Sequence, residues 1–223
     1  MNKHNRTLVL AAGAITALAT LPVCSLANAS PPAGATVAFP ESGRYIADMP
    51  GQNGMTTTMA ITVDGDNIAA YATNGTNDEA YFSGTEQNGL IDLTSKYQDH
   101  LTGAFDGTTV DGTLTMNDVA RSFAAPAVAA PAGMYTTELG DARASWVVRP
   151  DHSMMGMQDR MSRRDDELIG QILQGQQDFQ DQVRQMRVVR QMQPAPQLMY
   201  GTWHVDMNGT PMTAVPVTGN MTF

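Results

Sequence analysis

Apolar and polar residues alternate in short runs between Met55 and Met116, and two-residue turn signals separate the runs. These signals are Asp64-Gly65, Asn74-Gly75, Asn88-Gly89, Asp106-Gly107 and Asp111-Gly112. Asn-Gly and Asp-Gly suit the type I′ turns of tight hairpins because both residues accept positive φ at little cost. The pattern predicts strands over residues 55–63, 67–73, 79–83, 90–95, 101–105 and 109–116, with Met59, Ile61 and Val63 on one face of the first. Thr, Tyr, Val and Ile recur in these runs, as pleated surfaces favour. Such close turn spacing implies a mainly β fold, an antiparallel meander forming a small barrel or a two-sheet sandwich, and not βαβ units. Gly43-Arg44-Tyr45 marks where the fold should begin.

Ser122 to Ala132 carries Pro126 and Pro131, which argue against a central strand or a helix there. Gly133-Met134-Tyr135 then repeats the Gly-x-Tyr of 43–45. Ala144-Ser145-Trp146-Val147-Val148 followed by Asp151 echoes Ala60-Ile61-Thr62-Val63 followed by Asp64, which suggests two related β units. The strand at 144–148 is expected to pair with Tyr200 to Asp206. Between them the composition breaks: residues 154–196 are rich in Gln, Met, Arg and Asp. This stretch reads as one long helical insertion, 157–193, in a late hairpin. Ile172, Phe179 and Met186 recur every seven residues with Ile169 and Val183 beside them, a narrow stripe closer to a coiled-coil seam than to a core face. Gly170 and Gly175 each weaken the helix by about 1 kcal/mol against Ala, and Pro194 and Pro196 end it. Met212 to Phe223 reads as a closing strand or two.

The first 29 residues change the picture of where the chain works. Lys3, His4 and Arg6 precede an uncharged apolar run from Leu8 to Leu21, and Ala27-Asn28-Ala29 is a small-x-small cleavage site before Ser30. This is the pattern of a secretory signal, and the run is shorter than the roughly 20 residues a membrane span needs. A secreted or cell-envelope location follows, with no transmembrane span in the mature chain. Leu21-Pro22-Val23-Cys24 offers a competing lipoprotein site, but Val23 stands where a small residue is normal. Ser30 to Ala35 is a Pro/Gly/Ala tether, and flexible linkage is expected as far as residue 42. A single β-rich domain should occupy 43–223.

Cys24 is the only cysteine, so a chain cut after Ala29 has no disulfide and no thiol chemistry. Without Lys3 and Arg6, 11 basic residues face 22 acidic ones, and Lys96 is the one lysine left. Nucleic acid and anionic lipid surfaces are poor partners for such a charge.

Catalytic motifs are absent: there is no nucleophile elbow, no His-Glu-x-x-His and no phosphate-binding glycine loop. Asp78-Glu79 could form a carboxylate pair, but neighbours on a strand point to opposite faces, and solvated loop residues are the plainer reading. Asp64-Gly65-Asp66-Asn67 lacks the later ligands of a calcium loop and reads as a hairpin turn. His152, Met154, Met155 and Met157 could supply soft ligands for Cu(I), although methionine is also an adaptable packing residue. Trp146 and Trp203, on the two strands expected to pair, could line a small-ligand pocket in a barrel mouth or simply fill the core.

Tyr45-Ile46-Ala47, Val63-Asp64-Gly65-Asp66, Ala70 to Ala80, Ile91-Asp92-Leu93-Thr94-Ser95 and Ala144 to Val148 together resemble a type of exported actinobacterial, mycobacterial-type β-rich protein of unknown function. The resemblance spans roughly Gly43 to Asp151 and implies an envelope location and a β fold. It carries no catalytic residues and does not extend to the Met/Gln/Arg insertion. The resulting expectation is a non-enzymatic binding or structural protein with no cofactor. It would meet an envelope protein or a second copy of itself through Ile172, Phe179, Val183 and Met186. The alternatives are a carrier of a small hydrophobic ligand at Trp146 and Trp203, or an extracytoplasmic Cu(I) binder.

Overall fold

The computed structural model describes residues 36–51, 54–160 and 192–223, all within the compact unit Gly34–Phe223. The strands in chain order are β1 (Ser42–Pro50), β2 (Thr56–Asp64), β3 (Asn67–Thr73), β4 (Glu79–Thr85), β5 (Leu90–Thr94), β6 (His100–Phe105), β7 (Thr109–Met116), β8 (Val119–Pro126), β9 (Gly133–Leu139), β10 (Ala142–Val148), β11 (Met154–Arg160), β12 (Gln193–Pro194), β13 (His204–Met207), β14 (Thr210–Thr213) and β15 (Val215–Pro216). β1 to β4 form one antiparallel meander and β5 to β8 a second. The third sheet has the order β12-β11-β10-β9-β15, and β13 and β14 make a separate hairpin. None of these sheets closes on itself; past the end of β8, Ala127 bridges Tyr45 of β1 and the Val128 N–H donates to the Arg44 carbonyl at 2.8 Å.

The expected two-sheet sandwich is therefore part of a deeper stack. Met59, Ile61, Val63, Ile68, Ala70 and Phe82 of the first sheet pack against Ile91, Leu101, Val110 and Leu114 of the second. The other face of the first sheet presents Ile46, Ala60, Ala69 and Tyr71 to Met134 and Val147 of the third. The outer face of the third sheet, with Ala144, Trp146 and Val148, packs against Leu198, Val205 and Met207. Period-2 alternation in β2 and β3 thus separates one core from another rather than core from water. This is why Thr58, Ala60 and Thr62 are as buried as Met59 and Ile61. Alanine at 69, 70 and 72 suits a strand with sheets on both sides.

Asn88-Gly89 forms the expected tight turn, with φ of 53° and 81° between the bonded residues Gln87 and Leu90. Asp111-Gly112 is different: it lies inside β7, opposite Ala104 and Gly103. A side chain at Gly112 would meet the Thr102 carbonyl and the Phe123 ring, so glycine serves close packing here and not a turn. The β7–β8 turn instead uses Asn117 and Asp118, both at positive φ.

Three further expectations are corrected. β10 pairs with β9 and β11, not with residues 200–206; His204–Met207 turns back on Thr210–Thr213 through Asn208-Gly209 at positive φ. The chain is docked well before residue 42. Val37 donates its N–H to the Phe105 carbonyl at 3.0 Å, and the Phe39 ring stacks on Phe105 at 4.7 Å. Both ends of the stretch expected as a helix, 157–193, are strand instead: Met157 to Arg160 finish β11, and Met157 and Gln158 pair with Pro194 and Gln193 of β12. A partner strand on each side outweighs the weak β preference of MMGMQDR. The connection does lie in a late hairpin, but residues 161–191, with Ile172, Phe179, Val183 and Met186, lie outside the described residues. Among the described residues no helix is long and apolar enough to cross a membrane.

Candidate functional site

Two turns at one end of the third sheet hold large rings in backbone conformations usually left to glycine. In the turn after β10, Arg149 N–H donates to the Ser153 carbonyl at 2.9 Å and His152 N–H to the Arg149 carbonyl at 2.9 Å. His152 sits in the left-handed region with φ of 69°. Asp151 Oδ1 accepts from the Ser153 amide at 2.9 Å and hydroxyl at 2.7 Å. These bonds pull the Asp151 carboxyl below its ordinary pKa, the hydroxyl bond first and the amide next. In the second turn, Trp203 N–H donates to the Met199 carbonyl and Met199 N–H to the His204 carbonyl, both at 2.8 Å; Trp203 has φ of 57°. Left-handed backbone is uncommon for a residue as bulky as Trp.

The two turns meet through their rings. Tyr135, buried on β9, stacks on Trp203 with centroids 4.3 Å apart and planes 17° apart. Trp203 meets Tyr200 edge-on at 5.3 Å, and Tyr200 stacks on His152 at 4.1 Å. The stack thus runs from the core to solvent: Trp203 is half-buried, Tyr200 is 40% exposed, and His152 is exposed. Burial raises the Tyr135 phenol pKa, with Arg44 opposing the shift. The His152 turn is anchored to the first sheet by Arg149. Its Nε bonds both Asp48 carboxylate oxygens at 3.1 and 3.0 Å, its Nη2 reaches Asp48 at 2.9 Å and also Thr58, and its Nη1 reaches Ser153.

The residues singled out from sequence are distributed as follows. Trp146 and Trp203 belong to one apolar cluster, but Trp146 is core: it is 2% exposed and its indole N–H donates to the Pro196 carbonyl at 3.0 Å. Only Trp203 reaches the surface. Strand alternation divides the methionines. Met154 packs on the outer cluster with Trp203, whereas Met155 lies against Gly75 and Met157 is fully buried. The strand therefore does not gather Met154, Met155 and Met157 on one side of His152.

Glu79 is not a solvated loop residue; it opens β4 and is fully buried. Its Oε2 accepts from the hydroxyls of Tyr71 at 2.9 Å and Tyr81 at 3.2 Å. Both phenols titrate well above the ordinary range, first because burial disfavours the phenolate and then because Glu79 is negative beside them. A sequence signal existed, since Glu79, Tyr81 and Tyr71 occupy same-face positions on two strands joined by a short turn. The aromatic stack had no comparable signal, because Tyr135, His152, Tyr200 and Trp203 are scattered over 69 positions.

No protein-family model, curated protein or solved structure matches this chain.

Proposed function

We propose that this chain is an exported, non-enzymatic binding protein of the cell envelope or its surroundings, and that it holds a small ring-bearing or apolar ligand on the stack of His152, Tyr200 and Trp203. The observation that carries this reading is the pair of left-handed backbone positions, His152 and Trp203, at either end of an exposed ring sequence. Non-glycine residues in that conformation cost of order 1 kcal/mol and persist where the surroundings over-determine them, commonly at ligand sites. Tyr200 and Trp203 offer flat faces with few rotatable bonds, which keeps the entropy of capture low. Export rests on the N-terminal pattern and on the resemblance to exported actinobacterial proteins.

The test is tryptophan emission. Trp146 is sealed in the core, so ligand-dependent quenching must come from Trp203. Quenching by an envelope extract or a panel of ring-bearing ligands should vanish in Trp203→Phe and persist in Trp146→Phe. Quenching lost only with Trp146 would refute the site.

A second contact is favoured by the place of the insertion. It leaves and re-enters the chain between hydrogen-bonded strands at the β12 edge of the third sheet, where an added segment leaves the core pairing intact. Association with an envelope partner or a second copy through Ile172, Phe179, Val183 and Met186 would then be lost in Phe179→Asp. An oligomeric wild type whose sedimentation is unchanged by that substitution would refute it.

A further inference from the structure

Away from the aromatic stack, the ends of β1 and β2 open into a cavity of about 360 Å³. Ser42, Arg44, Thr62 and Asp64 line it together with Val128, Ala130 and the closing segment Pro216-Val217-Thr218. The register explains the grouping. Ser42 stands opposite Asp64 and Arg44 opposite Thr62, so all four share the face turned toward the third sheet. Arg44 and Asp64 are diagonal neighbours, with backbones about 7–8 Å apart in such a pair.

Opposite charges so placed would ordinarily close into an ion pair. They do not. The Asp64 carboxylate accepts the Gly219 amide at 2.7 Å, which turns it toward the closing segment. Among the described residues no hydrogen bond or ion pair engages the Arg44 guanidinium. Its stem passes over Gly133, where an added Cβ would lie 3.2 Å from Arg44 Cδ. A chain with twice as many acidic as basic residues after its leader thus keeps one arginine facing a cavity whose only other charge is held apart from it.

From this geometry we infer that the cavity binds a small zwitterion of the α-amino acid class, its carboxylate on Arg44 and its ammonium on Asp64, with the hydroxyls of Ser42, Thr62 and Thr218 around it. The lining's formal charge cancels, which matches a ligand that is neutral overall but charge-separated; a dianion would meet Asp64 unfavourably. Charge-assisted hydrogen bonds of about 2.8 Å would form at each end of the amino acid, one set to Arg44 and one to Asp64. The volume admits a small side chain. This inference does not depend on the aromatic stack.

The experiment is an amide NMR titration of the intact chain with L-alanine, with sodium acetate and methylammonium chloride as half-ligands. Alanine should shift Arg44, Thr62 and Gly219 saturably, and each half-ligand should bind at least about tenfold more weakly, since each forgoes one charged contact. Arg44→Gln and Asp64→Asn should each cost alanine about tenfold while the rest of the spectrum is unchanged; the Asn can still accept the Gly219 amide. Acetate binding as tightly as alanine would reduce the cavity to a plain anion site and overturn the inference. So would the absence of saturable shifts, or an Asp64→Asn variant that binds alanine normally. The comparison of alanine with its half-ligands uses only the wild type, so a variant that misfolds does not spare the proposal.

Discussion

The amide N–H of Met157 donates to the hydroxyl of Tyr71 at 3.1 Å, across 86 residues of sequence. Tyr71 lies on β3 and Met157 on β11, so the bond fastens the first sheet to the third; the same hydroxyl donates to Glu79 at 2.9 Å. Tyr71→Phe removes both bonds while keeping the ring. It leaves the buried Met157 amide without this acceptor and should cost about 1–3 kcal/mol. The check is the urea midpoint, which should fall with an unchanged slope. A midpoint equal to wild type would show that the link between the sheets is only steric.

Tyr71 and Tyr81 also set an alkaline limit. Their folded pKa values lie well above the ordinary phenol range, through burial first and the Glu79 charge second. Because the folded values are raised, their contribution is complete below the unfolded pKa of about 10 and is lost as pH rises beyond it toward the folded values. Phenolate absorbance should therefore rise in two stages. The last stage, from these two of the six tyrosines, should coincide with loss of the β circular-dichroism signal. Early, reversible ionisation of all six would contradict the buried cluster.

His152 gives a separation of stability from binding. At φ of 69° on an exposed turn, glycine meets no steric penalty, so His152→Gly should leave stability unchanged or raise it by up to about 1 kcal/mol. It should also weaken ligand-dependent quenching of Trp203, because the outer ring of the stack is gone. Thermal melting and emission on the same samples decide the matter; a clear loss of stability would make the imidazole a structural element.

The same turn predicts an acid response. The Asp151 pKa is depressed, chiefly by the Ser153 hydroxyl and amide. Its support for the turn is therefore present above the ordinary carboxylate range and fades as pH falls through its lowered folded value. Ser153 amide shifts followed by NMR should move in that acidic window and stay constant in Asp151→Asn.

Gly112 tests the packing of the second sheet. Alanine there would push its methyl onto the Thr102 carbonyl and the Phe123 ring. Gly112→Ala should destabilise by about 1–3 kcal/mol, the range for overpacked sites, read as a lower melting temperature. Had Asp111-Gly112 been a turn, the substitution would have acted through φ; here it acts through contact.

Local pattern determined β2 to β7 and β10, because turn chemistry and alternation act within a few residues. β3 and β7 appear at the residues read from sequence, β2, β4, β5, β6 and β10 within two or three of them at each end, and Asn88-Gly89 turns as its residue types require. The Gly-x-Tyr repeats at 43–45 and 133–135 each lie in the strand that begins a sheet meander, which is also local information. What stands against each strand was decided only by tertiary structure. Alternation marks two faces but cannot say whether one meets water or a further sheet, so Glu79 looked solvated and proves buried. Partner choice depends on contacts between distant residues, which is why residues 144–148 pair with β9 and β11 and not with the alternating run at 200–206. The stack from Tyr135 to His152 and the cavity holding Arg44 and Asp64 apart arise where separate sheets, turns and the closing segment converge. No short stretch of sequence contains either, because each exists only once the layers have packed.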